Sequence, residues 1–401
     1  MKRSLRGGFG VSMDDVQSHN KRVILTTLHQ NGNYSRKEIS QAVGLDQATV
    51  TRAIKPLIEQ GIIVETGTQK TARGRRSISL AFNTQYLKIL SIRIQRLNFS
   101  ISIFDLTGTL ILTQTHTIDH NVNFSVVANE IISHIGKITN AHQIELLGIG
   151  VAMPGPFLES DHRMMLMTDT KNWQDFDFIA YLEATFINCP IYANHDAKAA
   201  SLSIWKALRA KHSPTALLYV SLGQGVGSAL VIDGQVYHGS LGSAGEIGHT
   251  SINFNGEQCK CGNIGCLELY CSSKALIQKY EELSENKHLS LEEIISKFQQ
   301  GDANAKAAVN HLAVCLSYGL VNSVNQLNPD FIVIGDELAA LGQEFFNCVT
   351  LNVKKRLLPD LAHHLTILLD TSSEDIVHKG NYHLVMSNEL LIPTTHLGFT
   401  N

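Results

Sequence analysis

The stretch GSAGEIGHTSINFNGEQCKCGNIGCLELY (residues 242–270) constrains the chain more than any other. Three of the seven cysteines, Cys259, Cys261 and Cys266, fall within eight residues, and His249 lies just upstream. Soft thiolates with a borderline imidazole are the donor set that tetrahedral Zn²⁺ prefers. Gly262 and Gly265 permit the tight loop that brings three sulfurs to one ion. No fifth ligand or open position is evident, so the expected zinc is structural rather than catalytic. The plainer alternative is a set of reduced cysteines with an incidental histidine. In a chain whose opening MKRSLRGGFG has no apolar stretch behind it, and so is not expected to be secreted, such clustering favours a metal over a disulfide framework. The isolated Cys189, Cys271, Cys315 and Cys348 read as small core residues.

Outward from this loop the pattern alternates strands and helices. LKILSIRI (87–94) and FSISIFDLTGTLIL (99–112) read as antiparallel strands turning at Leu106-Thr-Gly108. VVANEIISHIGKI (126–138) has helical periodicity, and ELLGIGVAMPGP (145–156) is an apolar strand ending in Pro154-Gly155-Pro156. PIYANHD (190–196) runs straight into the helical AKAASLSIWKALRA (197–210). ALLYVSLGQGVGSALVIDGQV (216–236) is a further hairpin, with Gly223, Gly225 and Gly227 at its turn. No period of 20–50 residues recurs, so a repeat array is excluded.

The N-terminal end is organised differently. NKRVILTTLHQNG (20–32) is a helix that stops at Asn31-Gly32. Ser35-Arg-Lys-Glu38 is a capping box opening a short helix to Val43, Gly44 supplies a turn, and Asp46 caps a third helix over residues 47–60. In that helix Val50, Ile54, Leu57 and Ile58 form one apolar face, leaving Gln47, Thr49 and Arg52 turned elsewhere. Pro56 removes one hydrogen bond and is expected to bend its second half. GIIVE (61–65) and TQKTARGRRSISLAF (68–82) read as a hairpin with a basic tip. A three-helix bundle would explain the helices alone, but a basic hairpin after a recognition helix is a wing. Ser35, Arg36, Gln47, Thr49, Arg52, Arg73, Gly74, Arg75 and Arg76 are the expected contacts to double-stranded DNA.

Charge agrees with this division. Residues 1–80 hold 13 Lys and Arg against 6 Asp and Glu, whereas the other 321 hold 20 against 30, although the net charge is only −3. A basic head on an acidic body suggests that the head meets a polyanion, although a solvated basic face would give the same count. At 401 residues, with 44% hydrophobic and 17% charged side chains, two or three soluble units are expected. No apolar run is read as a membrane span, and the expected location is cytoplasmic.

Taken with G-E-I-G-H (245–249) and C-K-C-G-N-I-G-C-L-E (259–268), the chain resembles the ROK family of sugar kinases and sugar-responsive repressors over nearly its whole length. The resemblance implies a winged helix-turn-helix followed by a two-lobed α/β domain of the actin/hexokinase type, with a sugar or sugar derivative bound between the lobes. The expected divisions are 1–80 for the DNA reader, 81–198 for the first lobe, completed by a C-terminal helix near 375–401, and 199–374 for the zinc-bearing lobe. The winged helix aligns the chain with the family's repressors, since its kinases lack one. The family's catalytic aspartate falls on Asp196, preceded by His195 where asparagine is usual. Glu246, Glu268 and His249 match sugar contacts, His249 serving zinc as well, and Gly155 completes the implied ligand set. Only Gly380, within His378-Lys-Gly380-Asn381, matches the family's glycine-led C-terminal helix start.

The kinases open the domain with D-x-G-G-T, which grips ATP phosphates and the metal. Counting back from Asp105 puts Arg93, Gln95, Arg96 and Leu97 at that motif, so phosphate approach is blocked and the magnesium anchor is missing. The expected protein is therefore no enzyme but a repressor of carbohydrate-metabolism genes, working as a homodimer or dimer of dimers on a two-fold operator. A sugar kinase with an attached DNA-binding domain, and a regulator answering to another ligand, are the competing readings.

Overall fold

The computed structural model describes residues 13–70, 76–119, 121–159, 161–165, 173–285, 288–372 and 375–390. The head contains α1 (Met13–Asn31), β1 (Tyr34–Ser35), α2 (Arg36–Val43), α3 (Gln47–Glu59), β2 (Ile63–Lys70) and β3 (Arg76–Phe82), with sheet order β1-β3-β2. The local signals act as the sequence implies. Ser35 and Glu38 form a reciprocal capping box, Asp46 accepts the Thr49 amide, and Gly44 closes α2 at φ 70°, a conformation in which other residues are strained. α3 runs on through Pro56, which sits in its last turn.

Two lobes of like topology follow. The first holds β4 (Leu87–Ile94), β5 (Asn98–Asp105), β6 (Leu110–Thr117), α4 (Phe124–His142), β7 (Glu145–Met153), the short β8 (Phe157–Leu158) and β9 (Arg163–Met164), α5 (Phe178–Thr185) and β10 (Ile191–His195). Its main sheet is ordered β10-β7-β4-β5-β6, antiparallel across β4, β5 and β6 and parallel across β4, β7 and β10. The second holds β11 (Ala216–Leu222), β12 (Val226–Ile232), β13 (Gln235–Val236), α7 (Glu268–Cys271), α8 (Ser273–Leu283), α9 (Leu291–Gln299), α10 (Ala303–Leu327), β14 (Phe331–Gly335), α11 (Gly342–Arg356), α12 (Pro359–His364) and β15 (Thr366–Leu369). Its order β13-β12-β11-β14-β15 repeats the first, hairpin first and parallel strands after. Strands buried on both faces read as unbroken apolar runs, as β14 (FIVIG) does.

α6 (Asp196–Arg209) and α13 (Ile376–Glu389) cross between the lobes. Gly380 is required there, because a Cβ on it would lie 1.7 Å from the Ala199 carbonyl oxygen. α6 spans the expected 198/199 division and β3 spans the expected division at 80, so both boundaries fall inside continuous elements. The expectation of no membrane-length helix needs correction. α10 is long and apolar enough by composition, but 61% of its apolar window is buried, with Leu312, Leu316 and Leu320 in the core of the second lobe.

The head is not tethered loosely. Ile24, Leu25 and Leu28 of α1 share one apolar cluster with Ile89, Phe104, Leu106, Tyr382, Val385 and Met386 of the first lobe and α13. Polar contacts close its edge: His29 Nε2 meets the Tyr382 hydroxyl at 2.6 Å and Arg22 donates to the Asn388 carbonyl.

Candidate functional site

Strand ends and helix starts converge on one cavity between the lobes. Gly155, His195, Asp196, Glu246, His249 and Glu268, the six residues expected to contact a ligand, all line it. Asp196 is the first residue of α6, where the carboxyl end of β10 turns into a helix, and its Oδ1 accepts the Ala197 amide at 2.6 Å. His195 Nδ1 approaches the same oxygen at 3.3 Å. Glu268 opens α7 and its Oε2 accepts the Val226 amide at 3.0 Å, so it braces the glycine hairpin while facing the cavity. Glu246 is half-buried and no group among the described residues hydrogen-bonds its carboxylate. Carboxylates with unused lone pairs are acceptors for hydroxyl groups.

Gln95, Arg96, Ser221, Gly223, Gln224, Gly225, Asp336 and Glu337 also line the cavity. Arg93 reaches one of these residues, Asp336. Its guanidinium lies 3.0 Å from Asp375 and 3.6 Å from Asp336, tying β4 to the end of β14 and the start of α13. Burial opposes its charge, but the carboxylates of Asp375, Asp336 and Asp196 outweigh that and raise its pKa further. For Asp375 burial likewise works against ionisation, and Arg93 more than offsets it, holding the carboxyl below its ordinary value. Burial pushes the Glu337 carboxyl up, although the Ser273 hydroxyl donates to it at 2.7 Å. Asp336 escaped the sequence reading, although an acidic residue just past an apolar strand ending in glycine was a usable signal.

The His249, Cys259, Cys261 and Cys266 ligand atoms all lie within 4.8 Å of one another. Cys261 and Cys266 sulfurs are 3.6 Å apart, and Cys259 Sγ is 3.8 Å from His249 Nδ1. A tetrahedron with metal–sulfur bonds of about 2.3 Å has ligand separations of roughly 3.8 Å, so the donors fit a zinc ion. His249 also lines the cleft, and with Nδ1 turned to the sulfurs Nε2 is the ring nitrogen left for it.

A second network was not legible beforehand. The buried Lys198, in the first turn of α6, bonds Glu159 at 2.7 Å and the Gly242 carbonyl, and Glu159 also meets His238. Burial favours the neutral Glu159 acid, yet His238 and Lys198 together hold it below the usual carboxylate value. This clamp joins the first lobe to the loop preceding Glu246. A lone Lys198 in a helix gives no sign of so distant a partner.

On the head, Gln47 and Arg52 of α3 are both exposed. Ser35 needs correction as a DNA contact: it is only 5% exposed, and its hydroxyl is committed to Glu38 in the cap. Thr49 is half-buried and donates to Asp46, and Arg36 is paired with Glu65 at 2.7 Å. Arg76 opens β3, while Arg73, Gly74 and Arg75 lie outside the described residues.

A family model described as "ROK family" matches residues 89–387, and one described as "Winged helix-turn-helix DNA-binding" matches residues 17–64. The xylose repressor of Bacillus spizizenii W23 is 28% identical over 378 residues, covering 94% of this chain and 97% of the repressor. The N-acetylglucosamine repressor of Escherichia coli O157:H7 is 26% identical over 341 residues, covering 82% of each. The crystal structure of a ROK family transcriptional regulator, a homolog of the E. coli MLC protein, superposes with a TM-score of 0.79 at 23% identity over 94% of this chain and 98% of that one. A ROK family glucokinase from Streptomyces griseus, solved with glucose and AMPPNP, gives a TM-score of 0.66 at 17% identity over 74% of this chain and 98% of its own. The two structures share the fold at these identities.

Proposed function

The chain belongs to the ROK family, and we propose that it is a DNA-binding transcriptional repressor of carbohydrate-metabolism genes whose effector is a small sugar or sugar derivative. The observation that carries this reading is the cleft: six residues from four stretches of the chain meet in one cavity, and Asp336, which also lines it, is paired with the guanidinium of Arg93. Asp196, Glu246 and Glu268 accept sugar hydroxyls, His249 adds a nitrogen, and His195 and Gly155 shape the wall. No ATP-dependent transfer follows, because Arg93 ties up Asp336 and Asp375 and leaves no carboxylate at its own position for a metal. The names of the similar repressors favour DNA control over a kinase with an attached head.

His249, Cys259, Cys261 and Cys266 hold a structural Zn²⁺ in this account; when bound, the ion ties four ligands into one rigid loop and performs no chemistry. The head, about residues 1–80, reads a DNA operator through Gln47, Thr49 and Arg52 in the major groove, with Arg36 and the wing residues Arg73, Gly74, Arg75 and Arg76 on phosphates. The lobes, divided near α6 and completed by α13, close on the effector and change the spacing of two heads in a homodimer or dimer of dimers. Such a repressor acts in the cytoplasm.

The test is a thermal melt of the full chain against a panel of neutral sugars, alongside an ATP-consumption assay. A sugar at 100 times its Kd adds about 2.7 kcal/mol to the folded state. The account expects such a shift in the wild type, its loss in Asp196→Asn, and no ATP turnover. Turnover on the order of 1 s⁻¹, ordinary for an enzyme, would refute the assignment.

A further inference from the structure

Lys198 is the third residue of α6, and only 1% of it is exposed. A lysine so placed must have its ammonium satisfied within the protein, because a buried unpaired charge is costly. Its two acceptors come from opposite sides of the interlobe cleft. Glu159 Oε1, at 2.7 Å, follows β8 in the first lobe, and the Gly242 carbonyl belongs to the loop after β13 in the second. Glu159 reaches that loop again through the ring of His238, whose own carbonyl accepts the Ala244 amide at 3.1 Å. The backbones approach closely as well. A Cβ on Gly242, which has φ 76°, would stand 2.5 Å from the Glu159 Cβ and 3.0 Å from the Glu159 amide nitrogen.

Each of the three segments that meet at Lys198 carries cleft residues. His195 and Asp196 open its own helix, Pro154, Gly155 and Pro156 lead into β8, and Glu246 closely follows Gly242. Ser228 of β12 gives both its amide and its hydroxyl to the Gly245 carbonyl, at 3.1 and 2.8 Å, so the stretch from Gly242 to Glu246 has little slack. The ammonium therefore stands behind the cleft walls, and Lys198 is not among the residues that line them. A buried ion pair is weak evidence for stability, since apolar groups of the same volume often replace it without loss. What such a pair supplies here is geometry. Charge-assisted hydrogen bonds are short, and one ammonium with three donors can fix two segments to a third.

We infer that Lys198 is a positioning residue of the cleft, whose ammonium holds the segments bearing Gly155, Asp196 and Glu246 at the separation on which binding between them depends. The inference rests on the reading of the cleft as a sugar site and adds a residue that does not touch the sugar. Without the ammonium the walls part at the Glu159–Gly242 junction, and a ligand held between them leaves faster, while its entry is unaffected.

The test uses the full chain and two variants that break the junction in different ways. Lys198→Met/Glu159→Gln removes the ion pair and leaves no lone buried charge, whereas Gly242→Ala wedges the junction apart with every charge in place. Hydrogen exchange followed by mass spectrometry reads the walls without any ligand. In both variants, peptides covering residues 155–159 and 242–249 should exchange about tenfold faster, with β5 and α3 unchanged. The double variant should melt near the wild-type temperature. D-Xylose, D-glucose and N-acetyl-D-glucosamine are then the probes in stopped-flow binding. Any that the wild type binds should bind both variants about tenfold more weakly, through faster dissociation, with association rates kept within about threefold. Wild-type exchange in the double variant, faster exchange spread through β5 and α3, unchanged affinity, or weakening through slower association would each overturn the inference. If the wild type binds none of the three sugars while the variants exchange faster, the sugar reading fails and the positioning of the walls stands.

Discussion

Replacing Arg93 by methionine tests the ion-pair clasp that it forms with Asp336 and Asp375. The change keeps an unbranched side chain of similar length and strands the carboxylates of Asp336 and Asp375. Removing one partner of a buried ion pair costs about 3–5 kcal/mol. Two features reduce that here. Asp336 retains the Ser221 hydroxyl at 2.6 Å, and Asp375 retains the Val377 and His378 amides and is 36% exposed at its side chain. The expected loss is therefore about 2–3 kcal/mol, or roughly 4–6 °C in melting temperature for a region of this size. Arg93→Met/Asp375→Asn should recover part of it, since the stranded charge is gone. The loss should depend on pH in a fixed direction. Asp375 has a folded pKa below its ordinary 3.8, so its contribution is full above 3.8 and fades as pH falls through the lowered value. The assay is circular-dichroism melting of wild type and both variants at pH 7 and near pH 3. A single variant that melts within 1 °C of wild type at pH 7, where about 1 kcal/mol would already be visible, refutes the clasp.

Burial holds His29 and His378 to about 4, so each stays neutral in the fold but takes a proton when unfolded near pH 5. Their contribution is complete above about 6.5 and is lost as pH falls toward 4; proton uptake on unfolding, measured by calorimetry in two buffers, should fall by about one in His378→Asn. Ser35→Ala removes the α2 cap and should cost about 1 kcal/mol, read as earlier melting of the head. Loss of metal from Cys259→Ser/Cys261→Ser should abolish the sugar-induced melting shift while DNA affinity persists, with zinc content followed by elemental analysis.

What the sequence disclosed was local. The capping box at Ser35 and Glu38, the left-handed Gly44 and the Cys259–Cys266 loop each place their partners within a few residues, so spacing alone defines them. What it withheld depends on folding. Arg93 appeared only as a missing aspartate, because Asp336 and Asp375 lie more than 240 residues away in sequence. Lys198 reaches Glu159 and Gly242 across the lobes, and His378 sits between the hydroxyls of Ser91 and Ser100, each at 2.7 Å. Gly380 looked like a remnant of a motif and proves to be the contact point of two helices. Ser35 was misread for the opposite reason: a polar residue at a helix start suits both a cap and a phosphate contact, and burial selects the cap.

The central claim is that one chain couples a DNA reader to a sugar-binding cleft. The most direct measurement starts from DNA fragments selected by the full chain and determines their Kd with and without each sugar of a panel. The account predicts that at least one sugar changes Kd tenfold or more, about 1.4 kcal/mol, and that Asp196→Asn binds the same DNA without that response. Selected DNA whose Kd no sugar alters, or a response that survives in Asp196→Asn, would contradict it.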